Sequence, residues 1–111
     1  MLKKEFRIRK PRDYNNIYRY GKKIPGRYII VYIKENYGKI NRYGVVASKK
    51  VGNAVVRNKA KRQIREILKK YSARLGDSSD IVVVVRRSIS KGGFSDIERD
   101  YVSALKKAGL C

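Results

Sequence analysis

The stretch SKKVGNAVVRNKAKRQIREILKKY, Ser48 to Tyr71, constrains the fold more than any other part of the chain. Its apolar residues recur with a helical period. At ~100° per residue, Val56, Ala60, Ile64, Ile67, Leu68, Tyr71 and the following Leu75 share an arc of about 120°. An arc that wide must be covered by other elements. The spacing predicts a helix from about Ala54 to Leu75, opened by Asn53 as N-cap after Gly52 and ended by Gly76. The rest of its surface is cationic: residues 49–70 hold nine Lys or Arg and a single acid, Glu66. Arg57, Lys61 and Arg65 run along one border of the apolar arc. Asn58, Arg62 and Lys69 form a second line, and Lys59 and Lys70 lie further round. Ordinary surface helices mix both signs for i,i+4 pairing. Glu66 suits an intrahelical ion pair; the remaining cations call for a partner outside the chain.

The whole sequence repeats the message. Of 111 residues, 29 are basic and 9 acidic, a formal charge of +20. Residues 1–27 contribute ten basic and two acidic residues. Self-repulsion on this scale opposes compaction, and a polyanion is the partner that offsets it. Nucleic acid fits better than an anionic membrane, which wants an apolar anchoring face. No run approaches the ~18 apolar residues of a membrane span, and residues 1–27 are too charged for a signal peptide. The expectation is a single cytoplasmic domain, residues 1–111, with no membrane and no small-molecule substrate. Cys111, the lone cysteine, has no partner for a disulfide and is unsuited to hold a metal alone.

The other elements follow from pattern. KPRDYNNIYRYGK reads as a short helix, with Pro11 in the first turn, Gly21 as stop, and Tyr14, Ile17 and Tyr18 on one face. RYIIVYI, Arg27 to Ile33, is a strand, and RYGVVAS, Arg42 to Ser48, is expected to return beside it as a hairpin. DIVVVVRR carries four consecutive valines and predicts a strand covered on both faces. SDIE, Ser95 to Glu98, matches a capping box for a last helix striped by Ile97, Tyr101, Ala104, Leu105 and Ala108 and closed by Gly109. The order is α/β with a mixed sheet.

Catalytic chemistry is poorly represented. The chain has no histidine, the commonest general base. Asp77, Asp80, Asp96 and Asp100 fall at turns and a helix start, where capping is the default. Ser48 has only Lys49 beside it. KKVGNAVVRN lacks the GxxxxGK[ST] pattern of a phosphate loop, although the helix start after Gly52 could receive a phosphate. The nine tyrosines admit two readings. They pack, or they offer ring faces to unpaired bases. Tyr14 and Tyr18 share a helix face; Tyr28 and Tyr32, by parity, share a sheet face. If the two faces meet, they line a groove.

GVVASKKVGNAVVRNKAKRQIRE resembles the signature of the bacterial ribonuclease P protein subunit. The matching residues are Ser48, Lys49, Lys50, Gly52, Asn53, Ala54, Arg57, Asn58, Lys61, Arg62 and Arg65. The basic entry and aromatic helix, RYIIVYI, DIVVVVRR and the last helix extend the likeness along most of the chain. Lys59 stands where the family usually has the second Arg of Arg-Asn-Arg, so the planar fork that grips phosphate bidentately is lost there. Tyr14 and Tyr18 stand where Phe is frequent.

The resemblance implies an αβββαβα fold with a four-stranded mixed sheet and a left-handed βαβ crossover, where general rules favour a right-handed one. It implies that the chain serves 5′ maturation of transfer RNA as a subunit of an endoribonuclease whose RNA holds Mg²⁺ and performs the hydrolysis. The protein itself would bind no cofactor. Its expected contacts to the catalytic RNA are Lys49, Lys50, Asn53, Arg57, Asn58, Lys59, Lys61, Arg62, Arg65 and Lys69. Its expected contacts to the single-stranded 5′ leader of precursor tRNA are Arg12, Tyr14, Tyr18, Arg19, Arg27 and Tyr32, with Tyr28 assigned to packing. Two alternatives stay open on sequence: a structural RNA-binding protein of ribosomal type, and a stand-alone nuclease, which the missing histidine disfavours.

Overall fold

A computed structural model describes residues 6–38, 40–76 and 78–110. The expectations for Asp77 and Cys111 lie outside them. The described residues form α1 (Pro11–Tyr20), β1 (Lys22–Pro25), β2 (Ile29–Glu35), β3 (Arg42–Val46), α2 (Ala54–Tyr71), β4 (Ser79–Val85) and α3 (Phe94–Lys107). The strand order is β1-β2-β4-β3. β1–β2 and β2–β4 are antiparallel, whereas β3–β4 is parallel and bridged by α2. The expected α/β architecture with a mixed four-stranded sheet is present.

One face of the sheet is covered by α2 and α3, the other in part by α1. Odd-numbered strand residues, Ile29, Val31, Ile33, Tyr43, Ile81, Val83 and Val85, pack under α2 and α3. Val82 packs under α1 with Ile8 and Ile17, flanked by Tyr14, Tyr32, Val46 and Val84. Hence β4 can be valine at four successive positions: its side chains alternate between two apolar layers. Among the described residues, no helix is long and apolar enough to cross a membrane.

Four local expectations need correction. β2 and β3 do not form a hairpin; β4 lies between them. A doubly buried strand gains most with both edges paired, so β4 takes the interior. The β2–β3 connection must then cross two strand spacings, about 10 Å, and its loop is tied down by Asn36. That side chain donates to the Ile40 carbonyl (3.2 Å) and to Asp80 (2.8 Å), and accepts from the Gly38 amide (2.8 Å). Second, α2 ends at Tyr71 in a short 3₁₀ turn, Ser72–Arg74, where the Ser72 hydroxyl donates to the Lys69 carbonyl (2.8 Å). Third, α3 starts earlier than the SDIE motif suggests. Its N-cap is Gly93, whose amide is held by the Asp96 carboxylate (2.9 Å), because Glu98 is drawn to α2 instead. Fourth, Tyr28 precedes β2 and is buried in the α2–α3 layer, so it does not share a face with Tyr32. The Asp100 carboxylate fixes this bend by accepting from the Tyr28 and Ile29 amides (2.7 and 3.3 Å).

Asn53 caps α2 as expected, accepting from the Val56 amide at 3.0 Å. Gly109 closes α3 at φ +75°, with the Leu110 amide bonded to the Leu105 carbonyl. That left-handed position suits glycine.

Candidate nucleic-acid interface

The α1 face of the sheet resolves into three ranks when its registers are combined. Tyr32, Val82 and Gly44 form the middle rank; Ile30, Val84 and Val46 the rank on one side; Lys34, Asp80 and Arg42 the rank on the other. α1 crosses the middle rank. Tyr14 seats over Gly44, where a Cβ would meet the Tyr14 hydroxyl at 2.5 Å, and Ile17 is buried nearby. The rank at Asp80 is closed by charge. Asp80, only 5% exposed, accepts from Arg42 Nε (2.9 Å) and NH2 (2.7 Å), and Arg42 also meets Asp13 of α1 at 3.5 Å. The bidentate bond to Asp80 is the main reason the Arg42 guanidinium is held above its already high pKa.

Among the described residues, nothing comparable closes the third rank. Ile30, Val46 and Val84 are left partly exposed beside α1. The result is a cleft with an apolar floor. Its α1 side is aromatic: the Tyr18 ring lies 6.3 Å from Tyr14 and 4.9 Å from Tyr32, the latter edge-on. The Tyr14 hydroxyl donates to the Ile8 carbonyl (3.0 Å). Burial raises the hydroxyl pKa of Tyr14, against a lowering by nearby Arg65, and raises that of Tyr18, which the neighbouring tyrosines raise further. Both rings therefore stay neutral at physiological pH and bring no negative charge toward an anionic strand. The opposite end opens into a groove of about 490 Å³ lined by Ile30, Ser48, Lys50, Val51, Val85, Arg86, Arg87 and Ser88.

The structure thus brings Tyr14, Tyr18 and Tyr32 together, as the sequence suggested. Arg12 and Arg19 are placed elsewhere: they lie roughly 140–160° round α1 from Tyr14 at ~100° per residue. There they line a shallow outer groove with Asn15, Asn16 and Tyr20. Arg27 sits over the Tyr28 ring, 5.5 Å from its centre. Arg86 and Arg87 at the cleft mouth, and the floor residues Ile30, Val46 and Val84, escaped the sequence reading. The alternation in IIVY and VVVV held the signal for the floor, but only the strand order turns it into one surface.

On α2, Arg57, Lys61 and Arg65 are half-buried along the border, while Asn58, Lys59, Arg62 and Lys69 are exposed. Lys49 and Lys50 lie exposed in the 3₁₀ turn ahead of it. Asn53 already gives its side-chain oxygen to the cap. Among the described residues Glu66 makes no ion pair, contrary to expectation. α2 reaches an acid through Lys70, 2.6 Å from Glu98 of α3, which also accepts from the Tyr71 hydroxyl at 2.9 Å.

A family model described as Ribonuclease P matches residues 2–109. The ribonuclease P protein component of Syntrophomonas wolfei is 44% identical over 110 residues, covering 99% of this chain and 92% of that protein. The chain belongs to the ribonuclease P protein family. The ribonuclease P protein component of Clostridium botulinum is 40% identical, covering 96% of this chain and 97% of that one. Among solved structures, a Staphylococcus aureus RNase P protein mutant with defective mRNA degradation activity aligns with TM-score 0.88 at 35% identity, covering 97% and 92% of the two chains. The Thermotoga maritima RNase P protein aligns with TM-score 0.80 at 30% identity, covering 91% and 96%. A ribonuclease P protein is a subunit of an endoribonuclease holoenzyme and has the ribonuclease P RNA as partner.

Proposed function

We propose that the protein divides two RNAs between the outward cations of α2 and the open cleft and so promotes removal of the 5′ leader from precursor tRNA. The exposed lines of α2, with Lys49 and Lys50, hold phosphates of the catalytic RNA. The cleft takes the single-stranded leader, its bases against Tyr14, Tyr18 and Tyr32 and its backbone along Arg86 and Arg87. The observation that carries this reading is the uncovered rank Ile30–Val84–Val46 beside three clustered tyrosines, an apolar slot with a cationic mouth. Unpaired bases suit it, because every base offers a π-face whatever its identity.

Hydrolysis is left to the RNA subunit with its Mg²⁺. The absence of histidine supports this assignment, as does the engagement of Asp13, Asp80, Asp96, Glu98 and Asp100 in ion pairs and backbone hydrogen bonds. A cytoplasmic location goes with the reading. The test is reconstitution with the catalytic RNA at low magnesium. Adding the protein should raise cleavage of precursor with a leader of several nucleotides more than cleavage of precursor with a one-nucleotide leader. Cleavage unchanged by a protein that binds the RNA would refute it.

A further inference from the structure

A second concavity lies on the other side of the sheet from α1, between the first half of α2 and the loop entering α3. It measures about 240 Å³ and is lined by Val55, Val56, Lys59, Ala60, Gln63, Ile89, Ser90, Gly92 and Gly93. That is below the roughly 300–1,000 Å³ of sites for drug-sized ligands, so it suits one ring system. Its walls are apolar where Val55, Val56, Ala60 and Ile89 meet. Its polar groups are the Gln63 amide, with no hydrogen bond among the described residues, the Ser90 hydroxyl and the Lys59 ammonium. Of the two glycines, Gly92 is set by the close approach of the Tyr28 ring, while Gly93 adds no side chain beside the groove. A Cβ on Gly92 would strike the Tyr28 ring at 2.8 Å, and one on Gly93 would meet only Asp96, at 3.9 Å.

Two large apolar side chains exposed to solvent flank this groove: Val55, 76% exposed, and Phe94, 39% exposed. Val55 is the odd residue of the α2 surface. On the helical wheel it falls between Arg62 and Lys59, at ~100° per residue. Any RNA held by those two cations covers it. A phosphate backbone gains nothing from a valine, whereas a base turned out of its stack gains apolar contact there and hydrogen bonds from a carboxamide. Gln is a side chain that pairs with two edge atoms of adenine at once.

We propose that this groove receives one unstacked nucleobase of the ribonuclease P RNA, packed against Val55 and Ile89 and hydrogen-bonded by Gln63, while Lys59 and Arg62 hold the flanking phosphates. The inference rests on the reading that α2 docks the catalytic RNA. It adds a base-recognising contact to a surface otherwise reading only charge.

Two variants test it, Val55→Ala and Gln63→Ala, with melting midpoints to confirm folding. Affinity for the catalytic RNA is measured at several salt concentrations, and base-specific chemical probing follows the bound RNA. Each variant should lose about fivefold in affinity, the order expected for burying two methyl groups at Val55 or for one hydrogen bond at Gln63. The log–log salt slope should stay unchanged, because no phosphate-binding group is removed. One base protected by the wild-type protein should regain reactivity. Binding of both variants within twofold of wild type, or a loss accompanied by a shallower salt slope, overturns the proposal. The Arg57→Ala, Lys61→Ala, Arg62→Ala, Arg65→Ala quadruple variant separates the two layers. If it loses affinity while Val55→Ala and Gln63→Ala do not, only the base site fails; if it binds as wild type, the docking reading fails as well.

Discussion

Replacing Tyr18 by Ala probes the leader cleft with little risk to the fold. The ring is 37% exposed and rests on Tyr32 and Tyr14 rather than on the buried layers. Its aromatic contacts among the described residues are one edge-on pair and one tilted pair, each worth about 0.5–1.5 kcal/mol beyond the area they bury. Its free face is what a base would use, and stacking is worth about 1–3 kcal/mol per base by Ala substitution. The holoenzyme should therefore bind precursor tRNA with a leader roughly fivefold to 150-fold more weakly. Mature tRNA, which has no leader, should bind almost as before. Tyr18→Phe should keep the affinity, since the hydroxyl makes no hydrogen bond among the described residues. Binding should also be flat across neutral pH: burial raises the Tyr18 pKa from its ordinary value, so the ring stays neutral there. The assay is equilibrium binding of matched ligands with and without leader. Equal losses for both would show that the substitution damages folding or RNA-subunit docking, and the cleft assignment would fall.

Asp80→Ala removes the acceptor shared by Arg42 and Asn36 at a site 5% exposed, and should cost about 1–3 kcal/mol of stability, because Arg42 keeps some solvent and Asp13, read from denaturant unfolding; a loss under about 0.5 kcal/mol would mean the cluster is not a structural clasp. The quadruple Arg57, Lys61, Arg62 and Arg65 to Ala variant should stay folded, since less self-repulsion opposes the compact state, and lower the salt slope of RNA binding by roughly 0.7–0.9 for each phosphate it no longer neutralises; an unaltered slope contradicts the α2 assignment. Glu98 is held below the ordinary carboxylate range chiefly by its hydrogen bond from Lys70, then by that from Tyr71. A depressed pKa gives stability present above the unfolded value and lost as pH falls through the folded one. The melting difference between wild type and Glu98→Gln should therefore be largest near neutrality and shrink on acidification, and a gap that widens below pH ~4 would reverse the sign.

The parts of this fold legible in the sequence are those governed by local periodicity. α2 announces itself by its apolar arc, and all of that arc except half-buried Val56 is buried. The valines of β4 announce two covered faces. Strand neighbours are a different matter, because pairing partners are chosen by long-range burial. The hairpin expected of β2 and β3 fails for that reason: nothing in the segment between Glu35 and Arg42 says that β4, more than thirty residues on, will insert. Tyr28 fails by one residue, since parity applies only inside a strand and the Asp100 clasp bends the chain ahead of Ile29. The cleft was half legible. Its tyrosines lie close in sequence, but its floor is assembled from β2, β3 and β4, and its cationic mouth from Lys50 and Arg86, which meet only in three dimensions.

The placement of acids explains why α2 remains unneutralised by its own chain. Asp13 and Asp80 converge on Arg42, Asp100 on the bend before β2, and Asp96 on the start of α3. Among the described acids outside α2, only Glu98 pairs with it, and it does so at Lys70, in the last turn, where a cation is already favoured by the helix dipole. The first turn of α2 has no acid at all, with Lys49 and Lys50 just ahead of it and Arg57 just inside. Dipole and side chains there carry the same sign. That end of the helix is under electrostatic strain in the free protein, and relief must come from outside. A phosphate bound near Asn53 would meet the positive helix end and the cations of two turns at once, which makes the N-terminal half of α2 the place where RNA binding and folding stability are most tightly linked.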